Sequence, residues 1–163
     1  LRQPGAGLQV RAHRPSPAGT HILFEQTHLG LPVEGGSLKI NLDPNGRCYS
    51  ALAHWLSFTG ASGTHAAAEA CADVATQRFG APTQASAIWL PEAGGLRAAF
   101  RARGWRRANG RSEALFFDGA TGALLFIKDE TAYHRPVGQA PTDTHGRARI
   151  FVPDPLTRAG VRY

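Results

Sequence analysis

The chain has 163 residues, 42% hydrophobic and 18% charged. This is ordinary globular composition, long enough for a core in one domain or two small packed subdomains, and it argues against disorder. The formal charge of +6 points to an acidic partner or simply to solubility, and no apolar run approaches the roughly 18–20 residues of a membrane span, so none is expected.

Residues 1–19, LRQPGAGLQVRAHRPSPAG, are rich in Gly and Pro. They have neither a basic-then-apolar order nor a small-residue cleavage site, and they read as a leader arm rather than as core. THILFEQT follows as a predicted strand, with Ile22, Phe24 and Gln26 on one face and Leu23, Glu25 and Thr27 on the other. In HLGLPVEGG, three glycines permit backbone angles barred to other residues and Pro32 fixes its own φ, which predicts a shaped turn. SLKINLD alternates, with Leu38, Ile40 and Leu42 opposed to Lys39, Asn41 and Asp43, as in a half-buried antiparallel strand. Asp43-Pro44-Asn45-Gly46 is a tight turn and RCYSALAHWL the returning strand, completing a three-stranded meander.

The period then changes. Ser62 or Thr64 is positioned to cap a helix running to about Phe79, where Gly80 and Pro82 stop it. Its apolar stripe is Ala67, Cys71, Val74 and Ala75. QASAIWLP and LRAAFRAR are predicted strands and polar GWRRANGRS a turn, while EALFFD and ALLFIKDE are joined by the loop Gly119-Ala120-Thr121-Gly122. Residues 133–163 read as an extended tail holding one short strand near Ile150. Segregated strands and helix predict an α+β fold: an antiparallel meander, then a helix packed on a second antiparallel sheet.

Catalytic patterns are not found. The chain has no His-Glu-x-x-His zinc motif, no Gly-x-Ser-x-Gly elbow, no phosphate loop and no dinucleotide fingerprint. His65 and Glu69 lie one helical turn apart and read as a solvated pair rather than two metal ligands. No catalytic residue, metal ligand or cofactor is therefore assigned. Arg97, Arg101, Arg103, Arg106, Arg107 and Arg111, interleaved with Trp105, form the one dense basic patch. It is a solvated face or a docking face for an acidic protein in preference to a nucleic-acid platform. Cys48 and Cys71 are either a disulfide, worth about 3 kcal/mol on the chain-entropy account, or two buried thiols.

The run Phe24-Glu25-Gln26-Thr27, then Gly30-Leu31-Pro32-Val33-Glu34-Gly35-Gly36, then Leu38 to Asp43 and Asn45-Gly46-Arg47, resembles the fungalysin/thermolysin propeptide domain. Phe24, Gln26, Thr27, Gly30, Pro32, Val33, Gly35, Gly36, Asp43 and Gly46 carry that resemblance. Asp118, Thr121 and Gly122, set between hydrophobic strands, resemble the Asp-x-x-Thr-Gly ending of a PepSY domain, a helix on an antiparallel sheet of cystatin-like kind. The resemblance divides the chain into propeptide-like strands over residues 20–60 and a PepSY-like unit over residues 61–132. It implies a non-catalytic prosegment of a secreted or periplasmic zinc metallopeptidase, acting as inhibitor and folding assistant, with that peptidase domain as protein partner. The corner is then structural, and Tyr133, His134, Arg135, Pro136, Ile150, Phe151, Val152 and Pro153 are the expected partner contacts. The alternative is an interaction module of a larger secreted protein that has no peptidase activity.

Overall fold

The computed structural model describes residues 5–106 and 110–131. The first sheet is an antiparallel meander of β1 (Ala6–Ser16), β2 (Gly19–His28), β3 (Leu31–Leu42) and β4 (Cys48–His54). After the two-residue strand β5 (Ala61–Ser62) comes α1 (Ala68–Phe79), then β6 (Ala85–Glu92), β7 (Gly95–Arg106), β8 (Arg111–Asp118) and β9 (Leu124–Asp129). These last four pair in chain order, all antiparallel, as a second sheet. One parallel bridge, Val33 to Trp89, joins β3 to β6, and β5 runs parallel to β7. Strand thus dominates over the single described helix, so the fold is mostly β rather than an evenly mixed α+β.

Four differences from the sequence reading have physical causes. The opening residues read as a leader arm form β1, a strand in full register with β2 apart from one bulge between Val10 and Ala12. Gly and Pro in that stretch are local turn signals, but Pro15 lies near the end of an edge strand, where a missing N–H costs little. The helix begins at Ala68 rather than at a Ser62 or Thr64 cap, because Ser62 is taken into the ladder with β7. In place of a side-chain cap, the Gly119 carbonyl fixes the entry to the helix, accepting from the N–H groups of Ala66 and of the N-cap residue Ala67 at 2.9 and 3.1 Å. At the other end Gly80 adopts the left-handed conformation and donates to the Thr76 carbonyl. The inward stripe is Cys71, Ala75 and Phe79, four residues apart, while Val74 is exposed. Phe79 lies over Gly104, where any Cβ would stand 2.4 Å from its ring.

Cys71 therefore faces the second sheet, buried with Ala75, Phe100, Leu115 and Phe117, whereas Cys48 is exposed on β4 of the first sheet. Both are free thiols, and the disulfide reading fails because the helix packs on β6 and β7, away from β4. Burial pushes the Cys71 thiol pKa up, with the nearby Asp118 charge adding to the effect.

Three buried clusters make the core. One lies between α1 and the second sheet; the second gathers Ile88, Leu90, Ala99, Ala114 and Phe116 on that sheet's other face. The third, Val33, Trp89, Leu96 and Ala98 with Leu31, Leu56 and Phe58 against it, sits where the two sheets meet. Apart from that junction, none of these clusters draws on the first sheet.

Candidate functional site

The motif corner is the joint between the sheets. The chain reverses at Leu29 and Gly30, both at positive φ, as in a two-residue hairpin turn. Pro32 is already inside β3, opposite Thr27. The sequence reading of one shaped turn is thus replaced by a hairpin turn followed by a bulge. Glu25 opposes Ser37 and Thr27 opposes Pro32, so residues 33–36 of β3 face Gln26 alone. That excess swings Val33 away from β2 and onto Trp89 of β6.

Gln26 fills the gap. Fully buried, it donates from Nε2 to the Leu56 carbonyl at 2.8 Å and accepts the Leu56 N–H at 3.0 Å through Oε1, reproducing with a side chain the pairing a strand neighbour would give. Gly36 must lack a side chain, since a Cβ there would sit 2.4 Å from Gln26 Oε1. Gly35 holds a φ of +83°, and its carbonyl accepts from His54 Nδ1. Trp89 closes the joint by donating from its indole nitrogen to the His28 carbonyl at 2.8 Å, with the rings of His28 and His65 edge-on to it. His65 is thus an inward residue bonded to the Ile88 carbonyl, not a solvated partner of Glu69.

Glu34, the one charged residue of the corner, reaches Arg101 of β7 and Lys128 of β9. Only 10% of the Arg101 side chain is exposed, so this pair is largely withdrawn from water. Sequence reasoning missed this link and the roles of Leu56 and Trp89; the lone charge among glycines was the available signal. At the next turn, Asp43 Oδ1 accepts from the N–H groups of Asn45 and Arg47, and Gly46 takes a φ of +79°.

The second motif is a self-capped hairpin. Asp118 Oδ1 accepts from the Ala120 and Thr121 amides and the Thr121 hydroxyl, while Oδ2 accepts from Arg97 at 2.6 Å. The Thr121 bonds above all, then Arg97, hold the Asp118 carboxyl well below the usual range. A depressed carboxylate stabilises the fold fully above its unfolded value of about 3.9 and loses that contribution as pH falls further. Thermal midpoints of the wild type should accordingly drop more steeply between neutral pH and strong acid than those of Asp118→Asn, which starts lower; parallel curves would contradict this role. Gly122, at a φ of +72°, passes close to Ala67 and Cys71 of the helix region.

The basic patch is compensated. Arg97 pairs with Asp118 and Glu92, Arg101 with Glu34, Arg103 with Glu130, Arg106 with Glu113 and Arg111 with Asp129. Arg107 lies outside the described residues. Such pairs add little stability individually, but they remove most of the positive field that the sequence alone implies. An open cleft of about 590 Å³ beside them, lined by Arg11, Glu25, Glu34, Arg103, Lys128 and Glu130 among others, carries both signs of charge. Among the described residues no three His, Cys, Asp or Glu side chains are grouped to hold a metal ion, and no helix is long and apolar enough to cross a membrane. The expected contacts Tyr133, His134, Arg135, Pro136, Ile150, Phe151, Val152 and Pro153 lie outside the described residues.

The family model of the fungalysin/thermolysin propeptide motif matches residues 6–52, from the first residue of β1 to Leu52 within β4. It is the motif of a propeptide, not of a catalytic domain. No curated protein matches the chain. Among solved structures, the Bacillus megaterium YpeB C-terminal domain is similar over 75% of this chain and 56% of that one, at 11% identity and a TM-score of 0.42. The chain thus spans little more than half the length of that neighbour.

Proposed function

We propose that this chain is a non-catalytic propeptide that docks on the catalytic domain of an exported zinc metallopeptidase, keeps it inactive and assists its folding. The observation that carries the reading is the propeptide motif match over residues 6–52. The physical chemistry is compatible with it: a corner tied by buried hydrogen bonds and an ion pair is a rigid shape, and preformed sheets dock on other chains through faces and edges without chemistry of their own. The Asp-x-x-Thr-Gly hairpin and the helix on its antiparallel sheet are compatible with the PepSY-like part that the resemblance implies.

The test is titration of the purified chain into the mature zinc peptidase of the source organism while peptide hydrolysis is followed. Saturable slowing with one chain per peptidase is expected. Hydrolysis that continues at the same rate under a large excess of the chain overturns the proposal.

A further inference from the structure

One face of the first sheet gathers charge that the rest of the described chain leaves uncancelled. Every described arginine and lysine stands within 4.0 Å of a carboxylate except Arg14, Lys39 and Arg47. Arg14 of β1 and Lys39 of β3 line one pocket of about 350 Å³, together with Ala12, His21, Ile22 and Leu23. The registers set them on one face: Arg14 opposes His21 and His21 opposes Asn41, while in the next row Ala12 opposes Leu23 and Leu23 opposes Lys39. The outer two of these three strands stand about 10 Å apart, so the two cations flank the pocket from opposite sides. No described carboxylate lines it. Glu25, two residues along β2 from Leu23, is engaged by Arg11 at 3.7 Å.

His21 lies between the cations on β2. Its Nδ1 is 2.7 Å from Asn41 Oδ1 and its Nε2 is 3.3 Å from Ser16 Oγ, so the ring is held on both sides. Asn41 is only 8% exposed, which makes that anchor part of the folded frame. Ala12 and Leu23 are half-buried and apolar. Exposed arginines elsewhere on the protein find a carboxylate, as Arg103 and Arg111 do. Two unneutralised cations around one concavity add their fields there and favour an anion. The arginine offers an oxyanion a planar fork and the lysine a mobile point charge. The apolar wall favours an oxyanion carried on a carbon body over a bare ion. The volume is near the lower end of ligand pockets, roughly 300 Å³, which keeps that body short.

We infer that Arg14, Lys39 and His21 form a binding pocket for a small organic acid, an oxyanion on a short apolar body. Carboxylates and phosphate monoesters share that chemistry. Recognition is local to β1, β2 and β3 and needs no peptidase, so the pocket and the propeptide reading stand or fall separately.

The test is backbone amide NMR of the full chain, titrated separately with N-acetyl-leucine, phenyl phosphate, inorganic phosphate and the neutral N-acetyl-leucinamide. Saturable shifts over residues 12–14, 21–23 and 39 are expected with an organic acid, and none with the amide. The acid that binds more tightly identifies the head group. Arg14→Gln and Lys39→Gln alter exposed side chains, and the same spectra read whether each variant is folded. Each should weaken binding about threefold, the scale of a solvent-exposed ion pair. Arg47→Gln removes the same charge outside the pocket and should leave binding unchanged. Shifts that are missing or never saturate, equal binding of the amide, or equal weakening by Arg47→Gln overturns the site. Inorganic phosphate binding as tightly as both organic acids overturns the choice of ligand class.

Discussion

Gln26→Ala is expected to lower the unfolding free energy by about 3 kcal/mol, read as a shift in the chemical-denaturation midpoint. The loss has two parts. Truncation leaves a void in a fully buried position, and it strands the Leu56 N–H and carbonyl that the amide now satisfies at both ends. Gly36→Ala should cost a similar amount by a different route, because its new Cβ would lie 2.4 Å from Gln26 Oε1 and 2.7 Å from Gln26 Cβ. All three close atoms at that position belong to Gln26, so the two effects are not independent. In the double variant the alanine at 36 is relieved of the Oε1 and Cδ contacts, while the Cβ that residue 26 keeps still stands 2.7 Å away. The cycle should therefore show a coupling of about 1–2 kcal/mol, in the sense that the pair is less destabilising than the sum. Strict additivity would mean that the motif glycine and glutamine are not linked as described.

Gly119→Ala is expected to destabilise the helix and second sheet by about 3 kcal/mol, at the upper end of overpacking effects. Its Cβ would stand 2.4 Å from the Thr64 carbonyl oxygen, 2.7 Å from that of Ala98 and 2.8 Å from the Ala98 carbonyl carbon. All three are backbone atoms, so no rotamer change relieves the clash. Movement of this residue also pulls the Gly119 carbonyl off the amides of Ala66 and Ala67 and the Gly119 N–H off Ala98. Helical circular dichroism should melt earlier in the variant. Gly30→Ala is the control: its φ is +80° but nothing lies within 4 Å of the added Cβ, so about 1–2 kcal/mol of backbone strain is the whole expected cost. Equal losses at the two positions would contradict the close approach described at Gly119.

Much of the first sheet is legible residue by residue. The alternation in SLKINLD sorts Leu38 and Ile40 from Lys39 and Asn41 onto the faces they occupy, and Asp43-Pro44-Asn45-Gly46 turns where its residue types say it should. The same local logic located the helix end at Gly80 and the Asp118 hairpin. It failed at β1, where Gly and Pro suggested an arm while pairing with β2 made a strand. It failed again at the helix start, since the carbonyl replacing a side-chain cap comes from a loop some fifty residues further along. The motif residues were recognisable in sequence, but as one turn. That Gln26 bonds Leu56, that Val33 leaves β2 for Trp89, and that Glu34 neutralises Arg101 all depend on partners distant in the chain.

The sequence by itself determined the periods of the strands, the tight turns and the absence of the familiar catalytic motifs, because side-chain alternation and backbone stereochemistry act over a few residues. Only the tertiary structure decided which carboxylates cancel the arginines, which cysteine is buried and which sheet the helix packs on. Those outcomes follow from long-range pairing: once β3 is shared between two sheets, the helix packs on β6 and β7 of the second, and Ile22, Phe24, Leu38 and Ile40 of the first stay outside the described core clusters.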